Sequence, residues 1–113
     1  MNTEKIPTVT FNPKDGTLIL EGRSFPENPK IFYDDIFKKV EKELKTNFLK
    51  ITMKLDYINS GSAKCILTLF EKLNIISNIY VTWISEEGDE DIIDLGKILQ
   101  DSLNISFEFK EVI

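Results

Sequence analysis

Residues 49–58 alternate with a strict period of two: Leu49, Ile51, Met53, Leu55 and Tyr57 fall on one face, and Lys50, Thr52, Lys54 and Asp56 on the other. That pattern specifies a strand with one apolar and one polar side. Directly after it, Asn59-Ser60-Gly61-Ser62 carries turn and cap chemistry, and Ile66, Leu69, Phe70 and Leu73 recur at helical spacing to about Ile76 or Ser77. The chain therefore contains a strand that passes through a short hydroxyl-rich turn into a helix. Such a junction gathers backbone N–H groups and the positive end of a helix dipole around one point, which suits a phosphate or a carboxylate. Ser60 and Ser62 also offer hydroxyls that can be phosphorylated, so the turn either binds an anion or becomes one.

The rest of the chain falls into place on both sides of this unit. Thr8 to Asn12 and Thr17 to Glu21 read as strands joined by Pro13-Lys14-Asp15-Gly16, an antiparallel β-hairpin whose loop ends in glycine. Gly22 to Pro29 reads as a loop, with Asn28 suited to cap a helix and Pro29 to its first position. A helix is expected from about Pro29 to Lys45, with Tyr33, Ile36, Phe37, Val40 and Leu44 on its apolar face. Ile79 to Ile84, with Tyr80, Val81 and Trp83, has the apolar and aromatic character of a buried strand. An acidic loop follows from Glu86 to Asp91, then Ile92, Leu95, Gly96, Leu99 and Leu103 mark a third helix with a dipole-matched acidic start. Ile105, Phe107 and Phe109 alternate with Ser106, Glu108 and Lys110 as a last strand.

The order β-β-α-β-α-β-α-β describes an α/β fold, a mixed five-stranded sheet whose β-α-β crossovers are right-handed. In such a sheet the βα loops emerge at the carboxyl ends of the parallel strands. Arg23 to Asn28, Asn59 to Ser62 and Glu86 to Asp91 are thus expected along one edge.

Composition narrows the chemistry available at that edge. The 113 residues suit a single domain over 1–113, and eight Phe with one Trp supply bulk for one core. The net charge is -5, and no basic run with interleaved aromatics is present, which argues against a nucleic-acid partner. No transmembrane run is visible, and Met1-Asn2-Thr3-Glu4-Lys5 lacks the character of a signal peptide, so no membrane association and a cytoplasmic location are expected. The chain contains no histidine, which removes the commonest general base and metal ligand. Cys65 is the single cysteine, expected to pack as a small hydrophobe with no base to activate it. The acidic run lacks the spacing of a calcium loop, so neither a metal nor a cofactor is expected. Carboxylates such as Glu27 and Asp89 permit acid–base chemistry, but no motif supports an enzyme.

Two readings of the serines remain open on the residues alone. Either hydroxyl can cap the helix, for about 1 kcal/mol, in which case the edge is a constitutive protein-interaction surface without phosphorylation. Against plain capping, Gly61 gives the turn freedom and access, and Lys64, expected in the first helical turn, opposes the dipole unless an anion is present.

The same loops carry a resemblance. Gly22-x-Ser24-x-Pro26-Glu27-Asn28, then Tyr57-x-Asn59-Ser60-x-Ser62-x-Lys64, then Trp83 followed by Asp89-Glu90-Asp91-Ile92 and Gly96, resemble the SiaC-type family of bacterial regulatory phosphoproteins. The resemblance implies a fold similar to STAS domains and anti-sigma-factor antagonists. It implies a non-enzymatic switch, phosphorylated by a Ser/Thr kinase and dephosphorylated by a metal-dependent phosphatase. The unmodified form would bind and control a target such as a diguanylate cyclase. The family pattern Asn-Thr/Ser-Ser-Ser places the phosphate on Ser60, with Ser62 as the alternative and Gly61 standing where the family has a hydroxyl residue. Pro26, Glu27, Asn28, Tyr57, Asn59, Lys64, Asp89, Glu90 and Asp91 are the implied partner-binding residues.

Overall fold

The computed structural model describes residues 5–113, and the reading made for Met1 to Glu4 lies outside the described residues. Strands β1 (Thr8–Asn12), β2 (Thr17–Ser24), β3 (Phe48–Ile58), β4 (Asn78–Glu86) and β5 (Phe107–Val112) form one sheet in the order β1-β2-β3-β4-β5. Helices α1 (Pro29–Glu43), α2 (Ser60–Ile76) and α3 (Glu90–Leu103) join the four parallel strands, and β1 pairs antiparallel with β2. The expected element order and mixed sheet are both present.

Spatial order equals chain order, so each crossover advances in the same direction. Crossovers of one hand then leave every helix on the same face of the sheet, and α2 packs between α1 and α3. The alternating strands point their apolar side at this helical layer: Leu18, Leu20, Leu49, Ile51, Met53, Leu55, Ile79, Val81 and Trp83 are all buried. Glu21, Lys50, Lys54 and Tyr80 project from the opposite face into water. Among the described residues no helix is long and apolar enough to cross a membrane.

Near α3 the core is closed by aromatic stacking. Phe107 meets Trp83 with centroids 6.1 Å apart and Phe70 edge-on at 6.2 Å. The Trp83 indole N–H donates to the Ile92 carbonyl at 2.8 Å, which lays the ring under the first turns of α3. Gly96 makes that approach possible, because a Cβ there would lie 2.6 Å from Trp83 Nε1 and 2.8 Å from Phe109 Cε1.

Several boundaries differ from the sequence reading. β2 continues through Ser24 rather than ending at Glu21, because β3 offers it a parallel partner as far as Ile58. The register shifts between Gly22 and Arg23, where Gly22 has φ +115°. This irregularity breaks the period of two in β3: Ile58 takes the half-buried place over the core, and Tyr57 turns outward, 44% exposed, instead of following Leu55 inward. α1 ends at Glu43, two residues early, as Leu44 becomes extended. Asn104 terminates α3 in the left-handed conformation and Gln100 accepts the Phe107 N–H, so β5 starts at Phe107 and not at Ile105.

The packing at Gly96 has a direct test. Gly96→Ala forces Trp83 or Phe109 from its place and is expected to cost roughly 2 kcal/mol, as overpacking of a filled core does. Urea unfolding followed by Trp83 fluorescence measures it, and an unchanged midpoint would show that the ring has room to move.

Candidate functional site

Three helices begin along the carboxyl edge of the parallel strands, and each is capped by a side chain from a different loop. Asn28 accepts from the Ile31 N–H at 3.2 Å, Asn59 from the Ser62 N–H at 2.8 Å, and Asp89 from the Ile92 N–H at 3.3 Å. The loops are also joined to one another. The Asn59 N–H donates to the Ser24 carbonyl at 3.1 Å, and a Cβ on Gly61 would lie 3.4 Å from Pro29 Cγ. Asp89 and Asp91 share a cleft with Asp56, Tyr57 and Ile58.

With Asn59 as the cap, neither serine has the role that the capping reading gave it. Ser60 is the first residue of α2 and is exposed. Ser62, two residues on, has 0% exposure, and its hydroxyl accepts from Ser24 Oγ at 2.9 Å. Ser24, also fully buried, hydrogen-bonds in turn to the Tyr33 hydroxyl. This chain of hydroxyls ties β2, α1 and α2 together beneath the turn. Lys64 falls in the second turn of α2 rather than the first, exposed and one helical turn below Ser60.

The remaining expected residues divide by environment. Pro26 is buried, while Glu27 is exposed and paired with Lys5 at 3.2 Å. Glu90 and Asp91 stand exposed in the first turn of α3 and offset its dipole; α1 and α2 have no acidic residue in theirs. Tyr57 packs edge-to-face on Phe25 with centroids 5.7 Å apart, and the Arg23 guanidinium lies 5.1 Å from the Phe25 ring and 5.4 Å from Tyr57. Arg23, Ser24 and Tyr33 were not singled out as site residues in the sequence. Ser24 stands in the Gly22-x-Ser24 motif, but its link to Tyr33 and Ser62 depends on contacts that no spacing reveals.

Burial pushes the Tyr33 hydroxyl up to about 12, with the Ser24 hydrogen bond pulling the other way. Among the described residues no group of acidic or thiol side chains could hold a metal, and every buried side-chain polar atom has a partner. Ser60 has no histidine to activate it, since the chain contains none.

The family model for SiaC family regulatory phosphoprotein matches residues 1–112. The chain belongs to the SiaC family. SiaC of Pseudomonas aeruginosa in complex with the diguanylate cyclase SiaD, which it activates, is similar in fold with TM-score 0.80 and 22% identity, covering 98% of this chain and 96% of that one. Apo-SiaC from the same organism superposes with TM-score 0.72 at 22% identity, covering 96% and 93%. No curated protein sequence matches the chain. The α/β architecture is thus that of SiaC proteins, a family of regulators.

Two variants separate the roles at this junction. Asn59→Ala should cost about 1 kcal/mol by loss of the cap, whereas Ser60→Ala should stay within about 0.5 kcal/mol of the parent. The reverse ranking in denaturant titration would return the cap to the serine. For Tyr33, the folded chain holds its phenolic proton after the unfolded chain has released it. Its contribution is therefore present below pH 10 and declines as pH rises toward 12. Tyr33→Phe should cost about 1 kcal/mol at neutral pH and flatten the fall in stability across that alkaline window.

Proposed function

We propose that this SiaC-family chain is a non-enzymatic switch set by phosphate on Ser60. A Ser/Thr kinase adds the phosphate, a metal-dependent phosphatase removes it, and the unmodified form binds and controls a target of the diguanylate cyclase class in the cytoplasm. The observation that carries the reading is the contrast between the two serines. Ser60 is exposed and relieved of capping, while Ser62 is sealed under the turn by Ser24. A kinase needs access to the hydroxyl, and only Ser60 offers it.

Phosphorylation adds about -1.5 to -2 charge and three acceptor oxygens. At the first position of α2, beside the uncompensated positive end of that helix, the added group is stabilised by the N-terminal dipole. It also makes negative an edge formed by Pro26, Glu27, Asn28, Tyr57, Asn59 and Lys64, where Glu27 and Lys64 otherwise balance, and adds to the acidic charge of Asp89, Glu90 and Asp91 along the same rim. A partner fitted to the unmodified edge loses both contact and charge match. The complex of SiaC with SiaD supports a cyclase as that partner.

Peptide mapping of protein from the native host, before and after phosphatase treatment, should place the phosphate on Ser60. Ser60→Ala should bind the target constitutively and Ser60→Asp about tenfold or more weakly, a difference of about 1.4 kcal/mol. Equal binding of the two in a calorimetric titration would end the mechanism. A mapped phosphate on Ser62 would require the turn to open and would move the site.

A further inference from the structure

Between α1 and α2 lies a cleft of about 210 Å³, lined by Lys30, Tyr33 and Asp34 from α1 and Lys64, Cys65, Thr68, Leu69 and Lys72 from α2. Leu69 and the Tyr33 ring are buried and form an apolar floor. The rim is cationic. Lys72 is fixed by Asp34 at 3.1 Å and lies over the Phe37 ring, while Lys30 and Lys64 make no ion pair among the described residues. A protein of net charge -5 thus carries, at this one mouth, three ammonium groups against one carboxylate. The adjoining first turns of α1 and α2 contain no acidic residue, so two helix dipoles add to the same positive field.

We propose that this cleft is the docking groove for an acidic amphipathic segment of the partner, an apolar side chain entering between α1 and α2 with flanking carboxylates meeting Lys30 and Lys64. The volume is below the roughly 300–1,000 Å³ of sites for small ligands, and it suits a side-chain anchor. Charge complementarity selects an acidic segment over a basic one. The groove also connects to the switch. Ser60 and Lys64 are four residues apart on α2, neighbours on one helix face. Phosphate on Ser60 pairs with Lys64, removes a cation from the rim and repels the carboxylates of the docked segment. Docking stands on the cleft itself, and only its regulation rests on the Ser60 reading above.

Cys65 lines the groove, is half-buried and is the single cysteine of the chain, so its alkylation rate reports occupancy. The probe is a synthetic helix with a leucine stripe edged by glutamates, compared with the same peptide bearing lysine at each glutamate. The glutamate peptide should slow iodoacetamide modification of Cys65 about tenfold at saturation, and the lysine peptide should not. Lys30→Glu with Lys64→Glu should abolish the protection. Lys30→Gln with Lys64→Gln, which only neutralises the rim, should weaken it. Equal protection by both peptides, or none by either, overturns the groove. Protection by the glutamate peptide that persists unchanged with stoichiometric phosphoserine at residue 60 keeps the groove and overturns its control by Ser60. If phosphate at Ser60 blocks target binding while neither peptide protects Cys65, the switch stands and the groove falls.

Discussion

β3 hydrogen-bonds in parallel to β2 on one side and to β4 on the other, and a parallel pair can be joined only by a crossover that carries the chain back to its starting edge. In this chain every such crossover is a helix, so α1, α2 and α3 must all begin where the strands end. Their three N-termini and the loops that cap them are therefore collected along one rim by topology, without any further instruction. The positive ends of three helix dipoles meet there, and the chain answers each differently. α3 is lined with Glu90 and Asp91, whereas α1 and α2 are left uncompensated next to Lys30 and Lys64. The charge character of the site is a consequence of where the acids are withheld.

Beneath this rim the buried hydroxyls of Ser24, Tyr33 and Ser62 satisfy one another. A buried hydroxyl without a partner costs on the order of 1–3 kcal/mol, so each member holds the other two in position. The network fixes α2 to β2 and α1 at the point where Ser60 emerges. The phosphate proposed for Ser60 would thus sit on a rigid base and act through charge and contact at the surface rather than by loosening the fold.

Much of this was legible in the residues. The alternation of Leu49 to Leu55 identified the central strand, the turn at Asn59 located the junction, and the element order placed the three loops on one edge. The misreadings share a cause. Tyr57 left the apolar face because a register shift opposite Gly22 inserts an extra residue, and a pairing irregularity leaves no trace in the period of one strand. The capping role fell to Asn59 because the helix begins one residue after it, a difference smaller than any propensity resolves. Arg23 stacks on Phe25 and Tyr57 only once β2 extends beside β3. Local pattern encodes which face and which period, while long-range pairing decides which side chains meet.

The identity of spatial and chain order also bears on how the molecule is built. Each strand from β2 onward pairs with the one made just before it, so the sheet grows outward by addition at one edge and no strand has to insert between two already paired. Each parallel pairing still closes over a whole helical crossover, so the contacts are long-range and intrinsically slow to form, but the order allows stepwise assembly during synthesis. The last addition matters most: until Phe107 arrives with β5, the rings of Phe70 and Trp83 lack the cover that it supplies. A nascent chain halted before β5 would expose an aromatic surface and a free strand edge at β4 together, the combination that chaperones bind.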